Sequence, residues 1–195
     1  EYEQIAKATF DKILSKKENP KGKWNKVHPG TRDLKNFALP MILSNLALEI
    51  EHLLDEKFLL QTLENITHEI LEVFYRPELG IVVENVTLTN ELSDSFDGRL
   101  VNPGHALEAM WFLMDVGERL NRPQIIEKAV EIALKMVNYG WDKKHDGIFY
   151  YMDRKGYPPQ QLEYDQKLWW VHIEALIAMI KGYRLTGNKE CLQWF

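Results

Sequence analysis

Apolar residues recur along most of the chain at three- and four-residue steps, the spacing of helices rather than of strands. Residues 2–17 carry Ile5, Phe10, Ile13 and Leu14 in this way. Residues 18–33 hold Pro20, Gly22, Pro29 and Gly30 and read as a loop. A strongly apolar, buried helix is predicted over 34–54. A second is predicted over 56–75, with Phe58, Leu59, Leu63, Ile66, Ile70 and Phe74. A long polar connection, 76–103, then contains the β-prone run Ile81-Val82-Val83 and the turn signal Asp97-Gly98. Helices return over 104–120 and 123–139. A second connection, 140–166, sets Asp146-Gly147 before Ile148-Phe149-Tyr150-Tyr151 and reaches Gly156, a β-hairpin signal. A third helix is predicted over 167–185, and 188–195 begins its partner.

The pattern repeats. Leu54-Asp55-Glu56-Lys57 lies 66 positions before Leu120-Asn121-Arg122-Pro123, which lies 66 positions before Thr186-Gly187-Asn188-Lys189. Leu60, Ile126 and Leu192 follow the same offset after the turns, and Glu108-Ala109 aligns with Glu174-Ala175 before them. Three copies of helix, short turn, helix and long connection indicate stacked helical hairpins, each needing a neighbour to cover its apolar face. This all-α pattern suits a solenoid or a closed ring. Long connections gathered over a rigid scaffold are where chemistry usually sits.

Composition narrows the function classes. The 195 residues are 45% hydrophobic and carry 24 Lys plus Arg against 29 Asp plus Glu, a formal charge of −5. That is enough apolar residue for a substantial core and argues against disorder or a collagen-like chain. It gives no electrostatic support for binding nucleic acid. No apolar run approaches the roughly 20 residues of a membrane helix; the best, Phe37 to Leu48, is broken by Pro40, Ser44 and Asn45. The single cysteine, Cys191, excludes an intrachain disulfide and fits a reducing, cytoplasmic setting. The first residues, Glu1-Tyr2-Glu3-Gln4, lack signal-peptide character and a starting Met, so a processed or truncated chain is expected, and the N-x-T sequons at Asn65 and Asn85 read as coincidental.

The candidate chemistry lies where helices open. Asn102-Pro103-Gly104 leads into His105, and Glu108 follows on the same face, three residues on. The positive end of the helix dipole favours a neutral imidazole at His105, able to act as a base near neutral pH. The alternative is a capping or packing histidine. In the third unit, Lys167, Trp170 and Glu174 share a face, with Trp169 and His172 on another. The repeat places Glu174 where the second unit has Glu108, and Val171 where it has His105, while the first unit has Leu39 and Ile42 there. Chemistry placed unequally on equivalent helices suits a site in the middle of a ring. Each glutamate could instead have a buried partner such as Lys167, and His172 reads as structural. Trp111, Trp169, Trp170, Tyr150, Tyr151 and Tyr164 cluster around these positions. Aromatic faces suit the C–H faces of sugars, although any one of them could be core. His28, His52, His68 and His145 show no metal-ligand spacing, and no phosphate loop, HExxH, CxxC or GxSxG is present.

Asn102-Pro103-Gly104-His105-x-x-Glu108-x-x-Trp111 and Lys167-x-Trp169-Trp170-x-His172-x-Glu174-Ala175 resemble the N-acylglucosamine 2-epimerase family, in its acylglucosamine epimerase or renin-binding branch. Leu39-Pro40-Met41, Gly182-Tyr183-Arg184 and Thr186-Gly187 add to the resemblance, which runs from about residue 30 to the end. It implies an (α/α)6 barrel, a toroid of helical hairpins with short β-hairpins in the long connections. Residues 1–195 would be part of a single such domain, about three repeats and half of the ring, with the first and last repeats missing. It implies an isomerase that interconverts N-acetylglucosamine and N-acetylmannosamine by removing and returning the C2 proton of the open-chain sugar. His105 and Glu174 would be catalytic, and Glu108, Lys167, Trp170 and Trp111 would bind the substrate. It implies no metal and no cofactor for the chemistry, ATP as an allosteric activator in some members, and a homodimer. The family's second catalytic histidine and an arginine lie in repeats outside this chain. Two other functions use the same residues. One is a non-catalytic binding or regulatory protein of renin-binding type. The other is a glycosidase or lyase with Glu108 and Glu174 as paired acids. The histidine at a helix start favours epimerisation, because C2 deprotonation needs a base poised near neutral pH.

Overall fold

Local chemistry at the turns sets the helical hairpins. A computed structural model describes residues 1–17, 28, 30–31 and 33–195. Most of the loop expected over 18–33 lies outside these residues. Helix α1 spans Tyr2–Ser15 and buries Phe10. The first hairpin joins α2 (Ala38–Glu49) to α3 (Glu56–His68), where the Asp55 side chain caps α3 by accepting from the Phe58 N–H at 3.0 Å. The second joins α5 (Pro103–Arg119) to α6 (Pro123–Gly140), each with proline in its first turn, where the missing N–H costs nothing. Asn121, at φ +52°, makes the reversal between them. The third joins α7 (Trp169–Thr186) to the short α8 (Glu190–Trp194) through Gly187 in the left-handed region at φ +72°.

Helices α2, α5 and α7 stand side by side, and α3, α6 and α8 pack against them as a second layer. Helix α5 is the hub, touching α2, α6 and α7. Leu107, Met110 and Leu113 on it are wholly buried. Lys181 of α7 forms an ion pair with Asp115 of α5.

The stretch 34–54 is not one helix. Leu34–Asn36 is a strand, β1, and α2 begins only at Ala38 and is followed by a single 3-10 turn, Glu51–Leu53. The strand is only Leu-Lys-Asn, half-buried to exposed, and too short and polar to show an alternating pattern in the sequence. Likewise α3 stops at His68 and continues as a π-turn, Glu69–Phe74.

The connections hold strands β2 (Tyr75–Arg76), β3 (Ile81–Val82), β4 (Asn85–Thr87), β5 (Leu100–Val101) and β6 (Met152–Asp153). A one-turn helix, α4 (Phe96–Arg99), lies before β5, and Asp97-Gly98 sits inside it rather than in a turn. Among the described residues only β2 and β3 form a local hairpin; β1 pairs with β4 and β5 with β6, all antiparallel. The expected hairpin at Asp146-Gly147 is reduced to one bridge, Trp141 with Ile148, around residues at φ +59° and +81°. The chain then leaves to pair with the preceding connection. Arg99 reinforces that seam with a 2.7 Å ion pair to Asp153. The connections are therefore laced to one another at the end where α2, α5 and α7 begin.

Candidate functional site

Between Pro103 and Gly117 every residue of α5 is buried except His105, Glu108, Trp111 and Asp115. Steps of three and four place these side chains in one stripe, the only open face of the hub helix over that stretch. His105 occupies the first turn because Asn102 caps the helix, its side-chain oxygen accepting the His105 N–H at 3.1 Å.

His105 Nδ1 lies 3.1 Å from both carboxylate oxygens of Glu84, a residue only 5% exposed. Burial pulls the imidazolium pKa down. The hydrogen bond and charge of Glu84, with the charge of Glu108, outweigh it and leave the His105 pKa above its ordinary value. The helix end, which favours the neutral imidazole, is thus opposed by a carboxylate at hydrogen-bond distance. Glu84 carried no signal in the sequence beyond following the apolar run Ile81–Val83.

Glu108 faces Glu174 of the next hub helix. Burial first, and repulsion from Glu174 second, raise the Glu108 pKa above the usual carboxylate range, with His105 opposing. Glu174 accepts the Trp111 indole N–H at 2.6 Å. The Trp170 ring packs at 5.6 Å from the His105 ring and edge-on to Tyr150 at 5.8 Å. Tyr151 donates to the Tyr150 hydroxyl at 3.3 Å. Burial, that hydrogen bond and the nearby Glu84 charge raise its pKa and keep it a neutral phenol. Trp169, 77% exposed, stands apart from this packing.

The structure thus brings His105, Glu108, Trp111, Trp170 and Glu174 together. It does not bring Lys167 to them. Helix α7 begins at Trp169, so Lys167 precedes it and the shared-face argument does not hold. Its ammonium donates to Asp142 at 3.0 Å and lies 3.6 Å from the centre of the Phe149 ring, bracing the second connection. His172 is structural: it donates from Nδ1 to the Leu168 carbonyl at 2.8 Å and accepts the Ile148 N–H on Nε2 at 3.0 Å, which leaves no free ring nitrogen. Among the described residues no group of three His, Cys, Asp or Glu side chains is placed to hold a metal, and no helix is long and apolar enough to cross a membrane.

The packing of Trp170 depends on Gly104. A Cβ there would stand 2.7 Å from two Trp170 ring atoms and 3.0 Å from Val171. Gly104→Ala should destabilise the full-length protein by about 1–3 kcal/mol, as overpacking does. An unchanged denaturation midpoint would show that the ring moves aside freely.

Residues 1–195 match the N-acylglucosamine 2-epimerase (GlcNAc 2-epimerase) family along their whole length. The chain belongs to this family. It is similar to the N-acylglucosamine 2-epimerases of Bos taurus (35% identical over 206 residues) and Rattus norvegicus (34% over 200). Each alignment covers all of this chain and 47% of the relative, so the chain spans about half the length of these family members. A solved D-mannose isomerase shares the fold at a TM-score of 0.73 and 16% identity, over 98% of this chain and 52% of that one. Within the family's α/α barrel, the three hairpins described above make up part of the ring, and the His105 stripe lies on α5.

Proposed function

We propose that the protein containing this chain is a sugar 2-epimerase that interconverts N-acetylglucosamine and N-acetylmannosamine. The observation that carries this reading is the cluster itself: a histidine and a carboxyl group on one open helical stripe, with a second carboxylate on the neighbouring helix.

The chemistry follows from the groups. In the open-chain sugar the C1 carbonyl acidifies the C2 proton. A base takes that proton, negative charge moves onto the C1 oxygen, and a proton returned to the opposite face of C2 inverts it. His105 supplies the base, since an imidazole in its unprotonated form accepts a proton near neutral pH. Glu108, three residues on from His105 along the same open stripe, binds the sugar beside the base. Glu174 lies across the cluster, oriented by Trp111, as the second acidic group. Trp170 and Trp111 offer apolar faces to the sugar's C–H bonds. The reaction runs on side chains and needs no redox cofactor. Assembly as a homodimer, cytoplasmic location and activation by ATP belong to the same reading of the whole protein and do not enter this chemistry.

The test is turnover of N-acetylmannosamine by the full-length protein in deuterium oxide. The product and recovered substrate should carry deuterium at C2. Sugar binding without exchange would favour the binding-protein reading, and release of a cleaved glycoside would favour glycoside hydrolysis.

A further inference from the structure

We propose that Glu84 is the positioning residue of this site, accepting the Nδ1–H of His105 and so leaving Nε2 as the basic atom. The inference rests on the epimerase reading for its kinetic consequences, but its structural content stands independently.

Three observations carry it. First, the Glu84 backbone is held without help from its side chain. Its N–H donates to the Leu100 carbonyl at 3.1 Å, and its carbonyl accepts the Phe37 N–H at 2.9 Å. The residue thus joins the start of the first hairpin to the strand that leads into α5, and the fold's needs at this point are met by the main chain. Second, the carboxylate is buried, which is unfavourable for a charge unless it is paired. Among the described residues its hydrogen-bond partner is His105, and both oxygens are equidistant from Nδ1. Third, a carboxylate can only accept. The proton between the two groups therefore sits on Nδ1, and in the unprotonated imidazole the other ring nitrogen carries the lone pair. The same division of labour is general for bases oriented by a third group.

The charged and titratable groups around the imidazole are Glu84 from the first connection, Glu108 from its own helix, Glu174 behind Glu108 on α7, and the neutral phenol of Tyr151 from the second connection. The unprotonated imidazole is the reactive form, so activity falls as pH drops through the His105 pKa. Glu84 holds that pKa up, and removing its charge moves the acidic limb to lower pH.

The experiment uses the full-length protein and C2 deuterium exchange of N-acetylmannosamine. Glu84→Gln should lower kcat by about 10²–10⁴-fold, the range for losing an oriented general base. KM should stay within about threefold, since only uniform binding would move it alone. The acidic limb of the pH profile should move down. Glu84→Asp, which keeps the charge, should recover part of the rate. A Glu84→Gln protein with wild-type kcat and an unmoved acidic limb would overturn the proposal. If that variant fails to fold, the ¹⁵N spectrum of the wild-type imidazoles decides, with His105 assigned by its loss in His105→Gln. Nδ1 protonated and Nε2 bare is the expected tautomer, and the reverse overturns the proposal. The spectrum needs no turnover, so absence of exchange in the wild type would count against the epimerase reading and leave Glu84 to be judged by the tautomer.

Discussion

Replacing His105 by alanine in the full-length protein should reduce C2 deuterium exchange by at least about 10²-fold, and up to about 10⁴-fold, the span that a positioned general base contributes. Sugar binding should persist, because Trp111, Trp170 and Glu108 remain. The variant should also lose about 1–3 kcal/mol of stability, because buried Glu84 is left without its donor. The two readouts separate the roles: calorimetric titration with sugar measures the pocket, and exchange measures the base. Full exchange in His105→Ala would remove His105 from the mechanism.

The parts of this site readable in the sequence are the ones built locally. Asn102-Pro103-Gly104-His105 is a cap, a first-turn proline and a close-packing glycine in consecutive positions, so the helix start and the histidine on it are set by neighbours in the chain. The hairpin turns at Asp55, Asn121 and Gly187 are local in the same sense, which is why the 66-residue period shows. Glu84 is different. It lies 21 residues before His105, and only the pairing of separate strands brings it there. The β5–β6 seam joins residues about fifty positions apart, so the hairpin signal at Asp146-Gly147 pointed to the right bend and the wrong partner. Lys167 was misplaced by two residues of helix register, because α7 begins at Trp169.

Leu113→Ala should cost about 2–5 kcal/mol, among the largest losses available to a single aliphatic truncation in this chain. The side chain is wholly buried on α5, the helix that touches α2, α6 and α7 at once, so truncation leaves a cavity inside the packing. Chemical denaturation of the full-length protein measures it. A loss under about 1 kcal/mol would mean that the hub is loosely packed or that its neighbours relax into the cavity. Because α5 also carries His105 at its other end, the variant should keep the cluster's geometry at low denaturant and lose activity in step with unfolding.

The Lys181–Asp115 ion pair joins side chains 66 residues apart, one full period, so each occupies the same place in its own unit. The first unit holds Glu49 there. A junction between tandem units is head-to-tail, and units of identical sequence would set like charges against each other at this point. Opposite charges at equivalent places make the α5–α7 junction distinguishable from any junction between two copies of α5. The pair marks the α5–α7 junction alone, since the first and second units carry two acidic residues, Glu49 and Asp115, at the equivalent places.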